Sequence, residues 1–311
     1  MIRKIQKSLG WLGDISIMQP DLGAYKVNPV QRFRDLTVFS EKKTEDLPMD
    51  EQVLQQLAQK QRSHLKNKIA IKLREKLKRN HLVVCFEPIL SPLTRRLNGA
   101  NVTLRVPRQG IGLVPAQHLF SAVETSNILV DIGCWMVKEV LYLSREFPPY
   151  FTFTLPVNFY QLQNHKFVSY VRNMLDHLKI NKGRLQFTLS GDIIQQYGEN
   201  LDFSLHVLTQ AGVTFSAGQF GRVDMPLQSL YKKGFSTLVL DYCLVIGAEE
   251  NKEKQHILKM LVNEAHAYNC KLKAPGIDAT ANEELYSRIG IDELQKPFVS
   301  FDVLKILSTT N

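Results

Sequence analysis

Short apolar runs alternate with helical segments from residue 82 to residue 289, and this alternation constrains the fold more than any other feature of the chain. It is typical of a parallel sheet, which closes most simply as a barrel. The predicted strands are Leu82–Phe86, Val102–Val106, Phe151–Val157, Leu185–Leu189, Val213–Ala217, Thr237–Leu240 and Lys271–Ala274. The predicted helices are Ile128–Glu146, Gln161–Leu178, Asn200–Gln210, Leu227–Lys232, Glu253–Tyr268 and Glu283–Ile289.

The first two strands differ from the rest because only a short polar segment joins them. This connection favours an antiparallel pair, so the barrel is not expected to be a regular eightfold one. Between Val213–Ala217 and Thr237–Leu240, the sequence Gly218-Gln-Phe-Gly221 predicts a sharp loop at a strand end, where barrels carry their chemistry.

The basic charge of the chain is concentrated at its N-terminal end. The 311 residues have a net charge of +9, and residues 1–80 contain 17 Lys and Arg against 9 Asp and Glu, a net charge of +8. We therefore predict an N-terminal basic extension over residues 1–68 and a barrel domain over residues 69–311.

The extension contains two predicted helical parts separated by a linker. Met1–Gly13 has an amphipathic pattern, which fits docking on the protein itself or on a partner, and equally a weak peripheral contact with an anionic membrane. In residues 14–48 the apolar residues follow neither a helical nor a strand spacing. Leu65–Leu77 predicts a core-facing helix whose basic outer side is a candidate protein-binding surface, and nucleic acid is an alternative ligand for it. The candidate partner-binding residues are Lys66, Lys68, Lys72 and Lys76.

Several other classes of protein are not supported. The four cysteines are widely spaced, which favours reduced thiols in a cytoplasmic protein over a disulfide framework or a zinc site. No apolar run is long enough to span a membrane. The eight histidines lack metal-ligand spacing, and neither a GxSxG nor a GxxxxGK motif occurs.

Short motifs occur along the barrel in a recognisable order. They are Leu82-Val-Val-Cys-Phe-Glu-Pro-Ile89, Gly112-Leu-Val-Pro115, Pro156-Val-Asn158, Phe220-Gly221, Leu240-Asp241 and Ala274-Pro-Gly-Ile-Asp278. Their order resembles the EAL domain family, which comprises cyclic di-GMP phosphodiesterases and inactive relatives, over roughly Ile69–Phe298. The resemblance implies an α/β fold, an EAL-type modified TIM (β/α) barrel preceded here by the partly helical basic extension.

The chain departs from this family at the positions that the resemblance assigns to catalysis. Family phosphodiesterases resemble two-metal hydrolases, whose carboxylates hold two divalent cations. The substituted positions are Asn101 and Gln186 in place of Glu, Gly218 and Gln219 in place of paired Asp, Val239 in place of Lys, and Pro275 in place of Glu. An amide lacks the negative charge of a carboxylate, and Pro and Val side chains cannot ligate. We therefore expect no phosphodiesterase activity and no bound metal or cofactor.

Part of the ligand site resembles the family more closely, and we expect a vestigial site. Its residues are Arg105, Asn158, Asp241, Asp278 and Glu87. Arg105 matches an arginine that meets a ligand phosphate, and it also fits a rim arginine paired with a neighbouring acid. Glu87 replaces a family Gln and places an acid near the position of an anionic dinucleotide.

The sequence therefore predicts a non-catalytic regulatory protein that binds a protein partner. The resemblance suggests bacterial control of motility, adhesion, transcription or RNA turnover, and it suggests a homodimer. A cyclic di-GMP receptor that does not hydrolyse its ligand is the alternative, and nucleic-acid binding through the extension is the third reading.

Overall fold

The structure is a computed structural model, and it describes residues 67–79, 81–108, 112–116, 127–197, 201–276 and 283–309. The predicted segments Met1–Gly13 and 14–48 lie outside these residues. The first part of the predicted basic helix, which contains Lys66, also lies outside them. The same is true of Asp278.

The described strands form one sheet that closes into a barrel. The strands are β1 (Val83–Leu90), β2 (Leu97–Arg108), β3 (Gly112–Pro115), β4 (Thr152–Pro156), β5 (Leu185–Leu189), β6 (Thr214–Phe220), β7 (Phe235–Leu240), β8 (Lys271–Ala274) and β9 (Glu293–Gln295). The strand order is β1-β9-β8-β7-β6-β5-β4-β2-β3, and pairing of β1 with β2 closes a ring of eight strands with β3 attached to β2. The predicted α/β barrel is confirmed.

Strand β1 makes the barrel irregular. It runs antiparallel to both of its neighbours, β2 and β9, whereas the pairs from β2–β4 to β8–β9 are parallel. The predicted antiparallel start of the barrel is therefore confirmed.

Helices follow most of the parallel strands and cover the barrel. They are α1 (67–78), α2 (Asn127–Leu143), α3 (Phe159–Gln163), α4 (His165–Leu178), α5 (Gly191–Tyr197), α6 (Asp202–Gln210), α7 (Leu227–Lys232), α8 (Tyr242–Val245), α9 (Lys252–Ala267), α10 (Glu283–Ile289) and α11 (Phe301–Thr309). A 3₁₀ turn, Ser144–Glu146, ends α2. None of the described helices is long and apolar enough to cross a membrane.

Two local predictions are wrong in detail. The predicted helix Gln161–Leu178 is broken at Asn164, because its side chain accepts a hydrogen bond from the Lys166 N–H and begins α4 as a new helix. The sharp loop predicted at Gly218–Gly221 is mostly strand, since β6 continues to Phe220 through an irregular register next to β7.

The interior of the barrel contains a polar layer within an otherwise apolar core. Gln186 accepts a hydrogen bond from Thr154 Oγ1 at 3.1 Å and donates one to Thr237 Oγ1 at 3.2 Å. The hydroxyls of Thr188 and Ser216 lie 2.6 Å apart. These polar groups satisfy one another, so their burial is compatible with a stable core.

Candidate functional site

The carboxyl ends of the parallel strands bring part of the predicted site together at the barrel mouth. Asn158 lies two residues beyond β4, Gly218 and Gln219 lie just before the last residue of β6, Asp241 follows β7, and Pro275 follows β8. This is the end at which barrels of this kind bind ligands.

Asp241 is the buried acid of this group, and its charge is already engaged. Its Oδ1 accepts a hydrogen bond from the Cys243 N–H at 2.9 Å and caps α8. Its Oδ2 lies 3.5 Å from Arg222 Nη1, and the Asp241 side chain is 8% exposed. A helix N-terminus and a guanidinium therefore both stabilise this carboxylate.

Asn158 also has a structural role. Its side chain accepts a hydrogen bond from the Gln161 N–H at 2.8 Å, and the Gln161 side chain accepts one from the Asn158 N–H at 3.0 Å. This capping box begins α3. Gln161 also donates to the carbonyl of Leu129 at 2.8 Å, which ties the cap to α2.

Gln219 is directed to a helix beside the mouth. Its backbone adopts a left-handed conformation with φ of 62°. Its Nε2 donates to Asp192 Oδ2 at 3.0 Å, and its Oε1 accepts from the Asp192 N–H at 3.2 Å. Gly218 beside it offers no ligand atom in its side chain.

A second cluster joins β1, β2 and β9. Asn101 donates to Gln295 Oε1 at 2.7 Å, and Gln295 donates to Glu87 Oε2 at the same distance. Burial raises the pKa of Glu87, while Arg105 and the hydrogen bonds from Asn101 and Gln295 oppose part of that rise. The Oδ1 atom of Asn101 is buried and has no hydrogen-bond donor among the described residues.

Arg105 is held by contacts with uncharged groups. Its Nη1 donates to the Leu113 carbonyl at 3.2 Å, and its guanidinium carbon lies 3.6 Å from the centre of the Phe298 ring. This is a cation–π geometry. Arg105 forms no salt bridge with a described acid, although its charge acts on the buried carboxyl group of Glu87. Its pairing with a neighbouring acid therefore stays a prediction.

Gln186 lies level with Asn101 in the barrel, because it pairs in register with Thr154, which pairs with Asn101. It is the second residue of β5, three residues before the strand ends, and it joins Thr154 to Thr237 inside the barrel. Its amide belongs to the buried polar layer described above.

Lys273 was missed by the sequence analysis. It pairs in register with Val239, is 1% exposed, and its Nζ lies 3.5 Å from Glu293 Oε2. Lys271 binds the other oxygen of Glu293 at 3.2 Å. Burial lowers the pKa of Lys273, and Glu293 opposes that shift. The available signal was a lysine at the centre of a predicted buried strand.

Gln295 and Arg222 were also missed as functional partners. Gln295 ends the three-residue strand β9, and Arg222 directly follows the Phe220-Gly221 motif. Only the folded chain brings them to Glu87 and Asp241.

No metal-binding cluster is visible in the described part of the chain. No three His, Cys, Asp or Glu side chains there are close enough to share an ion. The side chains of Asn101 and Gln219 are hydrogen-bonded to other residues, and that of Pro275 cannot ligate. The described donors do not fit a two-metal centre, which needs several anionic oxygens.

Comparison with models of known protein families gives a match over the barrel. The EAL domain model matches residues 70–300, which is most of the chain. The chain belongs to the EAL domain family. It is thereby a member of a family that acts in cyclic di-GMP signalling.

Curated bacterial relatives are distant. The bifunctional diguanylate cyclase/cyclic di-GMP phosphodiesterase MucR of Pseudomonas aeruginosa is 23% identical over 227 residues, covering 72% of this EAL chain and 33% of MucR. Cyclic di-GMP phosphodiesterase PdeR of Escherichia coli is 20% identical over 226 residues, covering 72% of the chain and 34% of PdeR. The chain thus spans about a third of the length of these relatives.

Solved EAL domains share the fold. The MucR phosphodiesterase in complex with cyclic di-GMP superposes with a TM-score of 0.69 at 21% identity, over 76% of this chain and 99% of that one. The FimX EAL domain of Pseudomonas aeruginosa, bound to cyclic di-GMP, gives a TM-score of 0.64 at 18% identity, over 73% and 93% of the two chains.

Proposed function

We propose that this EAL domain does not hydrolyse cyclic di-GMP and that it regulates a partner protein by binding it. The observation that carries the proposal is the state of Asp241. Among the described positions at which the family resemblance expects acidic ligands, it alone keeps a carboxylate, and Arg222 and the N-terminus of α8 already hold that charge.

Two divalent cations at such a mouth would meet mainly neutral groups. Mg²⁺ and Mn²⁺ favour anionic oxygen ligands, and two-metal hydrolysis needs several of them to keep the cations about 4 Å apart. Asn101 and Gln219 offer only amides, and both are hydrogen-bonded to other side chains.

The test is a hydrolysis assay on the full chain with cyclic di-GMP, in Mg²⁺ and in Mn²⁺. We expect no linear dinucleotide above the background given by Asp241→Asn, which removes the remaining charge and keeps the size of the side chain. Turnover by the natural chain that Asp241→Asn abolishes would disprove the proposal.

The outer side of α1 is the proposed partner surface. Lys68 and Lys72 are exposed on it, Lys76 is half-buried, and Lys78 is exposed at its C-terminal end. Ile71, 55% exposed, places an apolar side chain among these bases. A partner with an acidic surface and an apolar contact matches this side of the helix.

We expect the triple variant Lys68→Glu, Lys72→Glu and Lys78→Glu to lose partners in affinity capture while its thermal melt stays unchanged. The matched control is Lys252→Glu and Lys259→Glu on α9, which reverses exposed bases elsewhere on the barrel. Equal partner recovery by both variants would exclude α1 as the binding surface.

Cyclic di-GMP reception without hydrolysis is the second candidate, favoured by the retained Arg105. Solved relatives hold this dinucleotide, and the Nε of Arg105 is buried without a hydrogen-bond acceptor among the described residues. Calorimetry with cyclic di-GMP tests it, and the receptor idea requires binding that Arg105→Ala abolishes. Two features argue against cyclic di-GMP binding. The Phe298 ring covers one face of the Arg105 guanidinium, and the acid Glu87 is a neighbour of Arg105.

Nucleic-acid binding through the basic extension is a third proposal. It would fall steeply with added salt, because phosphate contacts release counterions. Salt-insensitive or absent binding would exclude it. The expected homodimer is likewise a proposal, which the mass measured by light scattering decides.

A further inference from the structure

The end of the barrel opposite the mouth forms a separate surface. Strands β2 and β4–β9 are linked by parallel pairing, so the segments that precede them lie together at one end. We call this end the strand-start face. It consists of the turn Ser91–Arg96 and the segments 147–151, 179–184, 211–213, 231–234, 268–270 and 290–292.

The strand-start face carries positive charge that no described acid neutralises. Asp292 is the one acid in these segments, and it is engaged by His266 Nε2 at 2.9 Å and by the Leu272 N–H at 2.7 Å. Five bases on this face are exposed and form no salt bridge with a described residue. They are Arg95, Arg96, Lys179, Lys182 and Lys232.

Large apolar side chains project from the same face. Leu93 is 81% exposed at the tip of the turn between β1 and β2, and it lies two residues from Arg95. Tyr150 and Tyr231, which precede β4 and β7, are exposed by half or more. The face therefore presents an aliphatic side chain and two aromatic rings among bases.

Hydrogen bonds hold two parts of this face in place. The Ser91 N–H donates to the Arg96 carbonyl at 2.9 Å, and the Arg95 N–H donates to the Ser91 carbonyl at 2.8 Å, which closes the turn that carries Leu93. Nearby, buried Arg184 donates to the carbonyl oxygens of Ser144 and Phe147 and joins the segments before β4 and β5.

We propose that the strand-start face binds an anionic lipid surface, with Leu93 entering the interface and the five bases facing the headgroups. Clustered bases are drawn to anionic leaflets, and tyrosine is favoured at the membrane interface. The most exposed position holds Leu, which has an apolar environment in lipid and no stacking partner in nucleic acid. Lipid therefore fits this face better than a phosphate backbone.

This orientation turns the barrel mouth away from the membrane and leaves it open to other molecules. The lipid contact goes beyond the proposed regulatory function, because it uses neither the mouth nor the exposed bases of α1. The two ideas can fail independently of each other.

The test is co-sedimentation of the full chain with vesicles of phosphatidylcholine and phosphatidylglycerol in equal parts. We expect binding that weakens with salt, and little binding to phosphatidylcholine alone. Arg95→Asn with Arg96→Gln should reduce the affinity roughly 25-fold, since each base near an anionic surface contributes about fivefold. Asparagine suits position 95, where φ is 57°. Leu93→Ser should reduce the affinity about tenfold.

The matched control removes two exposed bases from α9 by Lys252→Gln and Lys259→Gln, and it should bind vesicles nearly as well as the natural chain. The variant Leu93→Trp should show a blue-shifted emission with the mixed vesicles. Equal loss in the α9 control and the Arg95/Arg96 variant would overturn the proposal. So would absent vesicle binding beside tight binding of a DNA duplex, which would assign the face to nucleic acid.

Discussion

Lys273 on β8 is paired in register with Val239 on β7, the position at which the EAL resemblance expects a lysine. At this level of the barrel the lysine therefore comes from β8 and not from β7. It is buried and lies 3.5 Å from Glu293 Oε2, while Lys271 holds the other carboxylate oxygen at 3.2 Å. The buried positive charge is bound by an acid of the chain itself.

This arrangement predicts unequal costs for removing the two partners. Glu293→Gln leaves the fully buried Lys273 without an anion, and we expect it to lower the free energy of unfolding by about 3 kcal/mol. Lys273→Met removes the buried charge while Glu293 keeps Lys271, so it should cost about 1 kcal/mol or less. Urea unfolding with unchanged m-values measures both. A larger loss for Lys273→Met would mean that the ion pair is a net source of stability.

Glu87→Gln is predicted to stabilise the protein at neutral pH by about 1 kcal/mol. Gln295 can still donate to the new side-chain oxygen, and the added amide can donate to Asn101 Oδ1, which has no donor among the described residues. The substitution also removes a carboxylate whose burial is unfavourable.

The pH dependence of this gain follows from the raised pKa of Glu87. The folded state binds the Glu87 proton more tightly than the unfolded state, so the natural chain gains stability as the pH falls from above the folded pKa towards the unfolded value of 4.5. The difference between Glu87→Gln and the natural chain should therefore shrink over that range. Thermal melts between neutral and acidic pH measure it, and a constant difference would assign the gain to packing.

The strands and the barrel were predictable because their residues follow a local pattern. Leu185–Leu189 and Lys271–Ala274 were predicted with the bounds that the structure has, since apolar and polar residues alternate along each of them, which is a strand pattern. Strand β9 was not predicted, because three residues, Glu293–Gln295, make a pattern too short to recognise. Its place depends on pairing with β1 and β8.

The site was predictable only as a set of positions. Motif order placed Asn158 and Asp241 at strand ends, and the structure brings both to the mouth. Motif order could not show that Gln186 lies inside the barrel or that Gln295 joins Asn101 to Glu87, because these contacts link residues far apart in the chain. The face that Phe298 presents to Arg105 is likewise a tertiary feature.

Gly133→Ala is predicted to destabilise the protein by about 2 kcal/mol, although alanine is a better helix former than glycine. A Cβ atom at position 133 in α2 would clash with Gln161 Nε2 and would lie 2.8 Å from Phe167 Cε2. The matched substitution Gly247→Ala has open space around its Cβ, and its cost should reflect only its φ of 71°. Urea unfolding compares the two, and a neutral Gly133→Ala would show that Gln161 moves aside easily.

The last prediction separates the two roles of Asp241. Asparagine at this position can still accept the hydrogen bond from the Cys243 N–H, so Asp241→Asn should lose only the contact with Arg222 and cost about 1 kcal/mol or less. Asp241→Ala removes the cap as well and should cost about 1 kcal/mol more. Arg222→Gln is the control, and it should match Asp241→Asn because each removes the same ion pair. If Asp241→Asn proved as costly as Asp241→Ala, the charge rather than the cap would stabilise this strand end, and the acid would be better understood as a fixed counterion of Arg222.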